Sequence, residues 1–146
     1  MKTNLMVLVL IAVMPITYLL ACNSNKNIST GQPNEKVFYL AGLKYETHIK
    51  LNIEANGKVS GTVTSNKHGL DGETTSFVGT LKNRKIKVTF NGEPPVIGAA
   101  SEWTNKPWRI IEKEGKELLI ITFYAKNYDT LKWKYMDYEF EAINKQ

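Results

Sequence analysis

The chain has 146 residues, 42% hydrophobic and 23% charged, with a formal net charge of +5 at pH 7. That length gives one domain once a leader is set aside, and so mild a positive charge supports solubility without calling for nucleic acid. One cysteine excludes an intramolecular disulfide, so the fold must be held by its own apolar core.

The first 22 residues read as an export signal. Lys2 supplies a basic start, residues 5–20 (LMVLVLIAVMPITYLL) an apolar middle, and Ala21 a small residue at the end. The competing reading is a retained span, but crossing a bilayer takes about 20 apolar residues. This run is shorter and carries Pro15 and Thr17. Leu19-Leu20-Ala21-Cys22 resembles the lipobox of bacterial lipoproteins. The resemblance implies cleavage between Ala21 and Cys22 and lipidation of the Cys22 thiol, with a further acyl chain (palmitate is the usual type) on the new amine. Each buried methylene adds about 0.8 kcal/mol, and two chains suffice for a stable anchor where one is marginal. Loss of residues 1–21 takes away Lys2 alone among the charges, leaving 18 Lys and Arg against 14 Asp and Glu, a net +4.

Residues 22–35 are polar and unpatterned and are expected to form a flexible lipidated tether. Asn23 is not the Asp that commonly retains lipoproteins at the inner membrane, and no acidic cluster follows Cys22. The resemblance therefore places the protein in the cell envelope, on the outer membrane, facing the periplasm.

From residue 36 to 146 the pattern has period two. Ile49, Leu51 and Ile53 alternate with polar residues, as do Val59, Gly61 and Val63, and Ile86, Val88 and Phe90. Such alternation means strands with one buried face. About eight strands are predicted, near 36–41, 47–55, 58–66, 74–82, 85–91, 106–113, 117–124 and 132–142, with almost no helix. Asn56-Gly57 predicts a type I′ hairpin turn. Asn83-Arg84, Asn91-Gly92, Glu114-Gly115 and residues 127–129 punctuate the later strands, and Asp71-Gly72 sits in a longer loop. Residues 118–124 (LLIITFY) are apolar on both faces, so that strand must be covered on both sides or touch another surface. In the last strand, Trp133 and Tyr135 lie out of phase with Met136, Tyr138, Phe140 and Ala142, which predicts a bulge near 135–136.

Consecutive hairpins at this spacing give an all-β, antiparallel up-and-down meander, closed or partly closed into a barrel. With Gly61 in KVSGTVTS and Gly79 in SFVGTLKN, it resembles the small lipocalin-like β-barrel lipoproteins of Gram-negative bacteria. Gly42 is followed by Leu43 and Lys44 rather than by the Gly-x-Trp of lipocalins, and no ligand-binding residue of that family carries over.

The sequence holds no GxSxG, HExxH, CxxC or phosphate-cradling glycine loop. His48 and His68 are far apart, so no metal site is expected, and no cofactor. Asp137, Glu139 and Glu141 share a strand face and read as partners for cross-strand lysines rather than as acid/base catalysts. Lys82, Arg84, Lys85 and Lys87 cluster at a hairpin tip, as a solvated turn or a docking site for anionic headgroups. Pro94, Pro95, Val96 and Ile97 open an apolar loop, which is either a lid over one barrel end or a portal or partner surface. Trp103, Trp108 and Trp133 fill the core or line a ligand cavity.

The expected protein is no enzyme but a membrane-anchored, monomeric periplasmic lipoprotein. Its barrel binds an apolar small molecule or an envelope partner, without nucleic acid. The alternatives are a structural or inhibitory interaction protein acting through its loops, and an enzyme of unrecognised type.

Overall fold

The computed structural model describes residues 34–42, 45–67, 72–98 and 101–143. Ala21, Cys22, most of the tether, His68 and Asp71 lie outside them. Nine strands follow in chain order: β1 (Asn34–Ala41), β2 (Tyr45–Ile53), β3 (Lys58–Lys67), β4 (Glu73–Lys82), β5 (Lys85–Phe90), β6 (Ser101–Trp103), β7 (Trp108–Lys113), β8 (Lys116–Lys126) and β9 (Trp133–Ile143). No helix occurs among the described residues. β1 takes in Asn34 and Glu35, read above as tether, because they pair with Ile53 and Asn52 of β2.

All pairings are antiparallel, and most join neighbours in sequence. The sheet closes where β9 pairs with β8 on one side and β1 on the other. The result is an eight-stranded, lipocalin-like up-and-down barrel, with β6 as an additional short strand on β8. Among the described residues, closure leaves no long edge open to other chains.

The lumen is filled by side chains. Phe38, Ile49, Leu51, Val63, Phe77, Ile86, Trp108, Leu119, Ile121, Phe123 and Phe140 are all fully or almost fully buried in one cluster. Eight strands enclose just enough space for such packing. The aromatic rings meet edge to face: Phe77 and Trp108 have centroids 5.0 Å apart, and Phe90 and Trp103 4.9 Å apart. A T-shaped pair is favoured because a ring's positive edge meets its neighbour's negative face.

Both mouths of the barrel are stoppered. At the end where β1 begins, the inward-phase Lys36 ammonium donates to both carboxylate oxygens of Glu117, at 2.6 and 2.8 Å. At the other end, the 91–98 segment folds inward, with Pro95 and Ile97 buried. Trp103 Nε1 donates to the Pro95 carbonyl at 2.8 Å, Ser65 to that of Val96 at 2.7 Å, and Thr75 to that of Glu93 at 2.6 Å. Thr47 in turn donates to Ser65 at 3.4 Å. The two buried hydroxyls inside the lumen thus serve the lid.

Two expectations are corrected. β8 and β9 keep one unbroken register from Leu118↔Glu141 to Lys126↔Trp133, so there is no bulge near 135–136. Trp133 and Tyr135 simply point outward, 43% and 60% exposed, in phase with Asp137. Asn56-Gly57 does not form a type I′ turn, since only Gly57 of the two has positive φ, at 82°. The Gly57 N–H bonds to the Glu54 carbonyl and the Glu54 N–H to that of Lys58, which is a type I turn ending in a glycine bulge. Positive φ at both central residues occurs instead at Asn83-Arg84 (51° and 59°) and Glu114-Gly115 (54° and 75°).

Gly61 faces inward directly opposite Phe77. A Cβ there would lie 2.0 Å from the Lys50 carbonyl oxygen and 2.6 Å from the Phe77 ring. The ring lies over bare backbone, and the barrel curves tightly at this point. Gly61→Ala is therefore expected to cost about 1–3 kcal/mol through overpacking. Urea unfolding should show a lower midpoint with an unchanged slope; an unchanged midpoint would mean that the contact is slack.

Candidate functional site

β8 is buried along both faces. Leu119, Ile121, Phe123 and Ala125 point into the lumen; Leu118, Ile120 and Thr122 point outward and are still 9% exposed or less. Charged side chains of the flanking strands cover the outer row. Arg109 of β7 pairs with Asp137 of β9 across β8, and Lys113 with Glu139 at 3.1 Å. Lys116 of β8 reaches Glu141 at 3.1 Å. Exposed ion pairs of this kind contribute about 0–1 kcal/mol each. Their larger effect is to lay aliphatic stems over Leu118 and Ile120. Asp137, Glu139 and Glu141 thus have cationic partners, as expected, though two of these lie one strand further away than a direct cross-strand pair.

Beside this ladder the wall carries a built irregularity. Trp103 of β6 pairs with Phe123, while Arg109 of β7 pairs with Ile120. Residues 104–108 therefore span the stretch that 121 and 122 cover on β8, and the surplus chain is extruded. Pro107 lacks an N–H and suits such a bulge. Inside the bulge, the Thr104 hydroxyl donates to the Thr122 carbonyl. β5 pairs with β7 only at Lys85↔Arg109 and Ile86↔Trp108, so the wall is least tightly laddered here.

The extruded segment and β9 form the two sides of an open depression of about 470 Å³, lined by Lys85, Lys106, Pro107, Arg109, Thr122, Tyr135 and Asp137. Three cations and one carboxylate line it, so its net charge is positive. The Thr122 hydroxyl donates to Asp137 at 2.6 Å. That bond, with Arg109 beside it and a weaker pull from Lys106, holds the Asp137 carboxyl below its ordinary value despite partial desolvation.

A row of exposed rings continues from the depression. The Lys106 ammonium sits 3.6 Å from the Tyr135 ring centre, a favourable cation–π placement. Tyr135 lies 5.4 Å from Tyr124, and Tyr124 stacks on Trp133 at 5.5 Å with 27° between the planes. Tyr128 and Leu131, 71% and 67% exposed, lie in the adjoining β8–β9 turn. Large apolar side chains gathered on an exposed wall mark a contact surface more strongly than scattered ones do.

The other residues singled out from sequence are dispersed. Trp108 is in the aromatic core, Trp103 is half-buried against it, and Trp133 is in the outer row. Pro94 and Pro95 belong to the pinned lid, whose Ile97 is in the core and whose Val96 is 53% exposed. His48 packs on Tyr39, with ring centroids 4.8 Å apart. Lys82, Arg84, Lys85 and Lys87 are exposed, around a turn at the barrel end where β1 begins. No cluster of three or more His, Cys, Asp or Glu that could hold a metal occurs among the described residues. Sequence reasoning missed Lys106, Arg109, Thr122, Tyr124 and Tyr135 as one site. The available signal was phase, because Trp133 and Tyr135 share parity with the outward carboxylates.

The fold and this wall define a small closed β-barrel protein with an aromatic and cationic outer surface. Comparison with protein-family models, curated proteins and solved structures yields no match.

The low Asp137 pKa stabilises the fold at pH above the ordinary carboxylate value of about 3.9, and that contribution is lost as pH falls through the depressed value. The group is half exposed, so screening keeps the effect small. Thr122→Val should raise the Asp137 pKa toward its ordinary value, as followed by carboxyl NMR titration. An unmoved titration would remove Thr122 from this role.

Proposed function

We propose that the chain is an exported lipoprotein, cut before Cys22 and acylated there. On this reading its barrel is a non-catalytic binding module that takes an envelope partner on its outer wall, facing the periplasm from the outer membrane. One observation carries the choice of site. The lumen is filled by its own aromatic side chains, whereas the row Tyr124, Trp133 and Tyr135 is exposed beside a cationic depression. Among the partners first considered, an apolar small molecule inside the barrel therefore has less support than a partner outside it. Action through the 94–97 loop is disfavoured because that loop is tied down by hydrogen bonds. Catalysis by Asp137, Glu139 and Glu141 is disfavoured because each carboxylate is held in an ion pair.

The direction of the strands agrees with this arrangement. β1 starts at the barrel end that carries the Asn83-Arg84 turn, while the β8–β9 turn and Trp133 lie at the opposite end. A tether from Cys22 to Asn34 extends to about 40 Å at most and spans about 19 Å on average. Its short mean reach turns the basic hairpin tip toward lipid headgroups and the aromatic row away from them.

Two outcomes are expected. Cys22→Ser should abolish lipid labelling and lipoprotein-type processing, and normal labelling in that variant would sink the anchor. A photo-crosslinking residue at position 135 should capture envelope material in cells far more than one at Val78, which is exposed on β4 across the barrel from β9. Equal capture from both walls would refute an outer-wall site.

A further inference from the structure

We infer that the depression beside β8 binds an acidic saccharide, with a sugar ring against the exposed aromatic row and an anionic substituent among Lys85, Lys106 and Arg109. This rests on the outer-wall reading above and gives that site its ligand chemistry. The depression, at about 470 Å³, falls within the range of small-ligand sites. Three kinds of group converge on it, and each asks something different of a ligand.

The cations come first. Lys85 is exposed, and Lys106 packs on the Tyr135 ring rather than on a carboxylate. Arg109 is partly occupied by Asp137 and keeps further N–H groups for a second acceptor. Their excess of positive charge selects a negatively charged ligand.

The second group is Asp137. Thr122 and Arg109 each take one of its oxygens and hold it ionised. A carboxylate still has lone pairs beyond those two bonds. A charged acceptor in a cationic setting suits a ligand that also brings hydroxyl donors, and a bare anion brings none.

The third group is the aromatic row. Tyr135 and Trp133 present ring surface to solvent beside the polar floor. The C–H face of a pyranose is apolar and slightly positive, and it complements the negative face of an aromatic ring. A polyhydroxylated ring with an acidic substituent meets all three demands. An acidic peptide meets the charge and brings N–H donors, but oligoglutamate offers no pyranose C–H face to the rings. The site lies on the side wall, with Lys85 at the end where β1 begins and the aromatic row running toward the opposite end.

The test uses the full chain in a non-ionic polyoxyethylene detergent. Tryptophan fluorescence would follow titration with a short oligogalacturonate, its methyl-esterified uncharged form, and an oligoglutamate. Saturable binding of the oligogalacturonate is expected, at least ten-fold tighter than either of the others and weakened by salt. Tyr135→Ala and Lys106→Ala should each weaken it at least ten-fold. Tyr135→Phe, which keeps the ring, and Val78→Ala, on the far wall, should leave it intact. Melting curves would confirm that the variants fold, with Lys106→Ala as the readout if Tyr135→Ala does not. No saturable binding, equal binding of the oligoglutamate or the esterified form, or binding indifferent to Lys106 and Tyr135 would each overturn the inference. If position 135 still crosslinks selectively in cells while the oligogalacturonate fails, only the saccharide falls; loss of both removes the outer-wall reading as well.

Discussion

A strand of seven consecutive apolar or hydroxyl-bearing residues must be dry on both faces, and β8 is where this barrel meets that demand. Its inner face closes the lumen with Leu119, Ile121 and Phe123. Among the described residues, its outer face, with Leu118 and Ile120 at 4% exposure, has no second sheet or helix to cover it. Cover comes instead from the stems of arginine and lysine on β7 and β8, drawn across by carboxylates on β9. The ion pairs matter less for their Coulomb energy, which solvent screens, than for holding those stems over the strand. Barrel closure through β8 and β9 and the shape of the outer wall are therefore one constraint seen from two sides.

The candidate site is what remains where that cover changes character. Toward the Trp133 end, the β6–β7 chain slips register against β8 and extrudes Lys106 and Pro107. There the cover passes from ion pairs to rings, with Lys106 on Tyr135, Tyr135 beside Tyr124, and Tyr124 on Trp133. Bulges re-aim side chains and recur next to functional sites. The three buried hydroxyls fit the same division. Thr47 and Ser65 hold the lid inside the lumen, and Thr122 sets the state of Asp137 outside it.

Much of this was legible in the residues. Alternation at 49–53, 59–63 and 86–90 marked strands and their inward faces, and the two-faced run at 118–124 announced a strand needing cover on both sides. Gly61 and Gly79 stood out before their cause was visible, which is the approach of Phe77 and of the Lys50 and Lys87 backbone. Phase failed at β9, because aromatic residues were assigned to the interior by type. Trp133 and Tyr135 share parity with Asp137, and that parity decides. The type of the Asn56-Gly57 turn was missed because the Glu54 and Lys58 backbone partners are not visible in a dipeptide. The three-residue slip between β6 and β7 has no local signature either, since register is a property of two strands. For that reason Lys106, Arg109 and Thr122 could not be joined into one site from sequence.

The lumen is occupied by the protein's own side chains, and the proposal of an outer-wall site rests on that. In a Trp133→Phe variant the remaining tryptophans are Trp108, inside the core, and Trp103, half-buried against it. Titration of that variant with a brominated fatty acid, a short-range quencher, reports directly on the interior. A filled lumen predicts only weak, non-saturating quenching. Saturable quenching at one fatty acid per protein would mean that the barrel opens to an apolar guest, and would contradict the claim.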